Sequence, residues 1–83
     1  MKKDLKQAKK NAEHIAKIKI EKGCCKCGYK THAAALEFHH IENKKHNISR
    51  IARSGVPQHI LDEEIKKCII LCANCHRIEH TTP

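Results

Sequence analysis

The sequence predicts a small α+β domain held together by bound metal, and three observations carry that expectation. An apolar stripe at helical spacing runs through residues 5–22, and short alternating or β-branched stretches occupy residues 35–41 and 68–72. Two Cys-x-x-Cys pairs, Cys24/Cys27 and Cys72/Cys75, bracket the region between. At 83 residues with Tyr29 and Phe38 as the only large aromatics, the core has to come from Ile, Leu and Ala. Such a core leaves a domain of this size in need of a cross-link.

Leu5, Ala8, Ala12, Ile15 and Ile18 recur every three or four residues, so residues 5–22 read as an amphipathic helix with lysines on its other faces. Asp4 followed by Gln7 forms a capping-box signature, and Gly23 suits the position past the helix end. Cys24-x-x-Cys27 then leads into Gly28, a tight turn able to aim backbone amides at a thiolate, as in a zinc knuckle. From about residue 35, Leu36, Phe38 and His40 alternate with Glu37, His39 and Ile41, which predicts a strand, with helix as the alternative for the alanines before it. Residues 42–49 are polar and loop-like, residues 48–55 predict a short helical turn, and Pro57 is placed to begin a helix at its first position. The β-branched run at residues 68–72 predicts a buried strand feeding a final helix over residues 74–80, with Asn74 as its cap.

The start of the chain has no apolar run fit for a signal peptide or a membrane span, so the expectation is a cytoplasmic protein with no membrane partner. In a reducing compartment the Cys-x-x-Cys pairs predict metal ligation, with zinc as the default, over disulfides. The net charge of +8 is unevenly placed, since residues 1–30 hold ten lysines against three acids. That basic arm, residues 1–23, favours a phosphate backbone as partner or simply keeps a small protein soluble.

The stretch "LCANCHRIEH" crowds Cys72, Cys75, His76 and His80 into ten residues. Neighbours on a helix diverge by about 100°, so Cys75 and His76 cannot easily face one ion, whereas His76 and His80 share a face. Two sites therefore fit better than one. Cys24, Cys27, Cys72 and Cys75 would close a structural zinc tetrahedron, with Cys25 an alternative to Cys24 and Cys68 left to pack as a small apolar residue. The spacing of Cys24, Cys27, His40 and His46 also satisfies a loose zinc-finger pattern, but Thr31 and Glu37 fall where such fingers place apolar residues, and Cys72 and Cys75 would be orphaned. His39, His40, His76 and His80 remain as a second cluster.

Taken together, "LEFHHI" followed by "LCANCHRIEH", bracketed by the thiolate pairs, resembles the HNH endonucleases, the ββα-metal (His-Me finger) nucleases of phages, bacteria and mobile introns. The resemblance covers about residues 24–80 and makes residues 24–83 the nuclease domain. It implies that His40 is the general base and that His39, His76 and His80 hold a catalytic divalent ion: Mn, Ni, Co, Zn or Mg. Three imidazoles favour the first four over Mg, with Glu42 or Glu79 as possible oxygen donors. It also implies DNA as substrate, cut or nicked with little sequence specificity through Lys44, Lys45 and Arg77, by a monomer or weak homodimer. The family's middle Asn, nine residues before the metal histidine, is replaced here by Lys67, leaving Asn43, Asn47 or Asn74 to orient the base. A non-catalytic zinc module binding nucleic acid is the alternative function, and a zinc-stabilised protein-interaction domain is a third.

Overall fold

The computed structural model describes residues 4–81; Lys2 and Lys3 of the basic arm lie outside the described residues. In chain order the elements are α1 (Leu5–Lys22), a 3₁₀ turn (Ala33–Ala35), β1 (Leu36–His40), α2 (Ile48–Ser54), α3 (Gln58–Ile65), β2 (Cys68–Cys72) and α4 (Ala73–Thr81). The two strands form an antiparallel sheet with Leu36 opposite Cys72 and His40 opposite Cys68. The fold is thus a small α+β domain. Among the described residues no helix is long and apolar enough to cross a membrane.

The start of α1 is fixed by Asp4, whose side chain accepts the Gln7 amide at 3.0 Å. The other half of the expected capping box is missing, because the Gln7 side chain reaches Asn11 instead (2.9 Å). Asn11 is fully buried and donates to the carbonyls of Ala52 (3.2 Å) and Val56 (3.0 Å), so one amide satisfies the end of α2. The docking face of α1 runs through Asn11, Ile15 and Ile18, and the expected stripe fails at Leu5, which is 72% exposed. Periodicity alone gives a polar Asn no reason to face inward; the carbonyls of Ala52 in α2 and Val56 in the turn after it supply it.

Gly55 ends α2 at φ +84°, and the chain folds back so closely that a Cβ there would lie 2.6 Å from the Asp4 carbonyl oxygen. Gly55→Ala therefore meets both a left-handed backbone and a backbone clash. It is expected to cost about 1–3 kcal/mol, measured as a lower thermal midpoint of the zinc-loaded protein, and an unchanged midpoint would refute the tight seating of α1 on this turn. Pro57 occupies the cap position of α3, one residue earlier than expected, which still exploits its missing N–H. The alanines form the 3₁₀ turn, and β1 begins only at Leu36.

The core has two parts. Cys24, Leu36, Ile70, Leu71 and Cys72 form one, and Ile48, Ala52, Leu61 and Ile65 form the other. Ile18 and Phe38 touch both parts and join them. Nine apolar residues are buried among those described, and two of these, Cys24 and Cys72, are candidate metal ligands, so burial alone is a thin source of stability here.

Candidate functional site

Two separate groups of metal-ligating side chains occur among the described residues. The sulfurs of Cys24, Cys27, Cys72 and Cys75 all lie within 4.8 Å of one another, close enough to hold a metal ion. The first pair is presented by a turn in which the Gly28 amide bonds the Cys24 carbonyl (2.9 Å) with Gly28 at φ +80°. The second pair spans the end of β2 and the first turn of α4. In each pair the leading sulfur accepts the amide of the trailing residue, Cys27 N–H to Cys24 Sγ at 3.4 Å and Cys75 N–H to Cys72 Sγ at 3.5 Å. The Cys27 and Cys72 sulfurs are 3.6 Å apart. Vertices of a zinc–sulfur tetrahedron are about 3.8 Å apart, given bonds of about 2.3 Å, so the residues fit that ion.

Sulfurs this close compete for charge. Burial pushes the Cys24 thiol up, but the amides around Cys72, Cys27 and Lys26 outweigh it and bring it to about 6. Cys75 is pushed up to about 12 by its side-chain hydrogen bonds to Cys72 and Cys24, with burial adding to the effect. A divalent cation removes this conflict by stabilising thiolates together. Cys25, offered above as an alternative to Cys24, is exposed, lies outside the sulfur group and donates its amide to the Ile70 carbonyl (2.9 Å). Cys68 is partly buried against the second core part, and burial, together with the charge of Glu64, pushes its thiol up to about 11.

The second group is His39, His76 and His80, one ring nitrogen from each lying within 4.8 Å of the others. His76 and His80 sit one turn apart on α4, Nε2 to Nε2 at 3.0 Å, close to the roughly 3.3 Å between nitrogens of a tetrahedral site with bonds of about 2.0–2.1 Å. His39 reaches them from β1, its ring centroid 5.2 Å from each. Burial and the two neighbouring imidazoles disfavour charge on His39, which keeps it in the neutral form that ligates metal. Glu37, two residues earlier on the same face of β1, accepts from His76 Nδ1 at 2.6 Å and so leaves the Nε2 lone pair of His76 pointing at the cluster. Of the two expected oxygen donors, neither belongs to the imidazole group, and Glu79 is paired with Lys26 at 2.6 Å.

His40 faces the other way. β1 pairs residue for residue with β2 and has no bulge, so the two histidines project to opposite sides of the strand. His40 Nε2 meets Glu64 Oε2 at 2.9 Å. The two sides are reunited at the unpaired edge of β1, where His40, His76 and Glu37 line one cleft of about 370 Å³. Lys44 lines the same cleft, whereas the backbone of Lys45 is tied to Glu64 (3.1 Å). Arg77 lines a neighbouring cleft of about 530 Å³ with His76 and His80.

Sequence reading missed Lys19, which lines the His40 cleft from α1 and lies 5.4 Å over the Phe38 ring. Its charge is opposed by burial and favoured by Glu37. The signal was its place one residue after Ile18, on the border of the docking face. None of the asparagines considered for orienting the base does so: Asn47 caps α2 through the Arg50 amide (3.1 Å), and Asn74 lies inside the first turn of α4, whose capping acceptor is Cys72. Comparison with family models, with curated proteins and with solved structures finds no match for this chain.

Proposed function

We propose that this chain is a divalent-metal-dependent DNA endonuclease of the HNH type, its ββα-metal unit built from β1, β2 and α4 and its four cysteines holding a structural zinc. The observation that supports this most is the convergence of His39, His76 and His80 beside a cleft shared with His40 and walled by Lys19 and Lys44, apart from the sulfur cluster. His39, His76 and His80 would hold a divalent ion, which would supply Lewis-acid stabilisation of the charge that develops on the phosphate. His40 takes a proton from water, a task suited to a neutral imidazole near pH 7. The water oxygen bonds to phosphorus as the P–O3′ bond breaks, leaving a 5′ phosphate and, once solvent protonates it, a 3′ hydroxyl. Lys19, Lys44 and Arg77 flank the histidines on two sides and offer ammonium and guanidinium contacts to a backbone, with no side-chain set that reads base edges.

Metal analysis beside a supercoiled-plasmid assay tests the reading. The expected result is one tightly held zinc per chain and nicking that returns with an added exchangeable ion, Mn, Ni or Co before Mg. Plasmid binding with no cutting under any of these ions would end the nuclease reading and leave a nucleic-acid-binding zinc module. Lys19→Ala is expected to weaken plasmid binding and to lower the slope of log affinity against log salt by about one, while the zinc content stays unchanged. An unaltered slope would remove α1 from the substrate surface.

A further inference from the structure

Glu64 is the largest anomaly that the site leaves unexplained. It is a carboxylate 2% exposed, in the last turn of α3, in a domain with little core to spare. Its Oε2 meets His40 Nε2 (2.9 Å) and the Lys45 amide (3.1 Å), and its Oε1 meets Lys67 Nζ (3.4 Å). Burial works against its charge, but the amides of Lys45 and His46, with His40 and Lys67, outweigh burial and hold it down to about 2. It is therefore ionised at any pH at which cysteine thiolates can hold zinc.

An ionised carboxylate only accepts hydrogen bonds, so the hydrogen between Glu64 and His40 belongs to Nε2. In the neutral ring that fixes the tautomer and leaves Nδ1 bare. Among the described residues Nδ1 of His40 has no hydrogen-bond partner, and His40 lines the cleft it shares with His76. A carboxylate needed only to anchor the loop over residues 41–47 is already served by two amides and an ammonium; the imidazole is an addition that loop anchoring does not require. Lys67, at the position where the resemblance calls for an Asn, touches Glu64 and not His40.

We propose that Glu64 is the positioning residue for His40, locking the ring as the Nε2–H tautomer so that Nδ1 is the proton acceptor, and pinning through Lys45 the loop that carries Lys44 into the same cleft. For what His40 does, this rests on the nuclease reading; for which tautomer it adopts, it does not. The asparagine's part is thus taken by a residue three positions earlier, and a carboxylate, unlike an amide, cannot flip to present a donor.

Nitrogen-15 NMR of the zinc-loaded wild-type protein at pH 8, with His40 assigned by its loss in His40→Ala, reads the tautomer directly. Nε2 carrying the hydrogen is expected; a hydrogen on Nδ1 overturns the proposal whatever any variant does. Glu64→Gln, whose side chain can either accept or donate, is expected to mix the tautomers and to lower kcat for plasmid nicking with Mn by about 100-fold, with KM within about twofold and zinc content unchanged. A merely structural Glu64 would move KM and the melting temperature and leave kcat and the tautomer alone, and that result also overturns the proposal. Should the wild type cut nothing, the nuclease reading falls while the NMR result still decides what Glu64 does to His40, as it does if Glu64→Gln fails to fold.

Discussion

Cys72→Ser is expected to abolish tight zinc binding and, with it, the cooperative thermal transition of the chain. Cys72 is 8% exposed, joins β2 to α4, lies 3.6 Å from Cys27 Sγ and caps the Cys75 amide, so its sulfur serves sheet, helix and metal together. A serine oxygen is a shorter and harder donor than the thiolate zinc prefers. The magnitude follows from comparison: structural zinc in small modules binds with about 10–16 kcal/mol, against a net stability of about 5–15 kcal/mol for a whole domain. With nine buried apolar residues among those described, two of them candidate ligands, the rest of the core is not expected to cover that difference. Circular dichroism on heating, beside zinc content by mass spectrometry, checks the result, and a strong chelator added to the wild type should reach the same unfolded endpoint. A cooperative transition surviving in Cys72→Ser would show that the sulfur cluster is dispensable for the fold.

His40→Ala is expected to cut the rate of plasmid nicking by about 10²–10⁴-fold, the range a general base contributes. The fold should tolerate the change, because Glu64 keeps the amides of Lys45 and His46 and the ammonium of Lys67 when the imidazole goes. A stability loss of about 1 kcal/mol is anticipated for one missing hydrogen bond, too little to confuse with the loss in rate. Zinc content serves as the internal control, since His40 is not among the sulfur ligands. Nicking at the wild-type rate would strip His40 of its assigned part and turn attention to the other nitrogens of the cleft.

What could be read from the sequence followed from local periodicity and ligand spacing. The helix over residues 5–22 and the β-branched strand at residues 68–72 need only neighbours along the chain, the four cysteines are marked by their repeated Cys-x-x-Cys spacing, and all are present. What could not be read depended on contacts between distant elements. Asn11 is buried because the carbonyls of Ala52 and Val56, 41 and 45 residues away, accept its amide, and Glu64 is buried because His40 and the Lys45 amide converge on it from a strand and a loop. Both look like ordinary polar residues in a one-dimensional pattern. His39 and His40 project to opposite sides of β1, and only the unpaired edge of that strand, which no local pattern marks, lets His40 line a cleft with His76.

Cys75 and His76 are successive residues, so one peptide bond joins the sulfur centre to the imidazole trio. An ion gripped by the four sulfurs would fix the first turn of α4, and with it the direction in which His76 and His80 face β1. Loss of that ion is therefore expected to loosen the imidazole trio as well, so that occupancy of the second group would depend on the first.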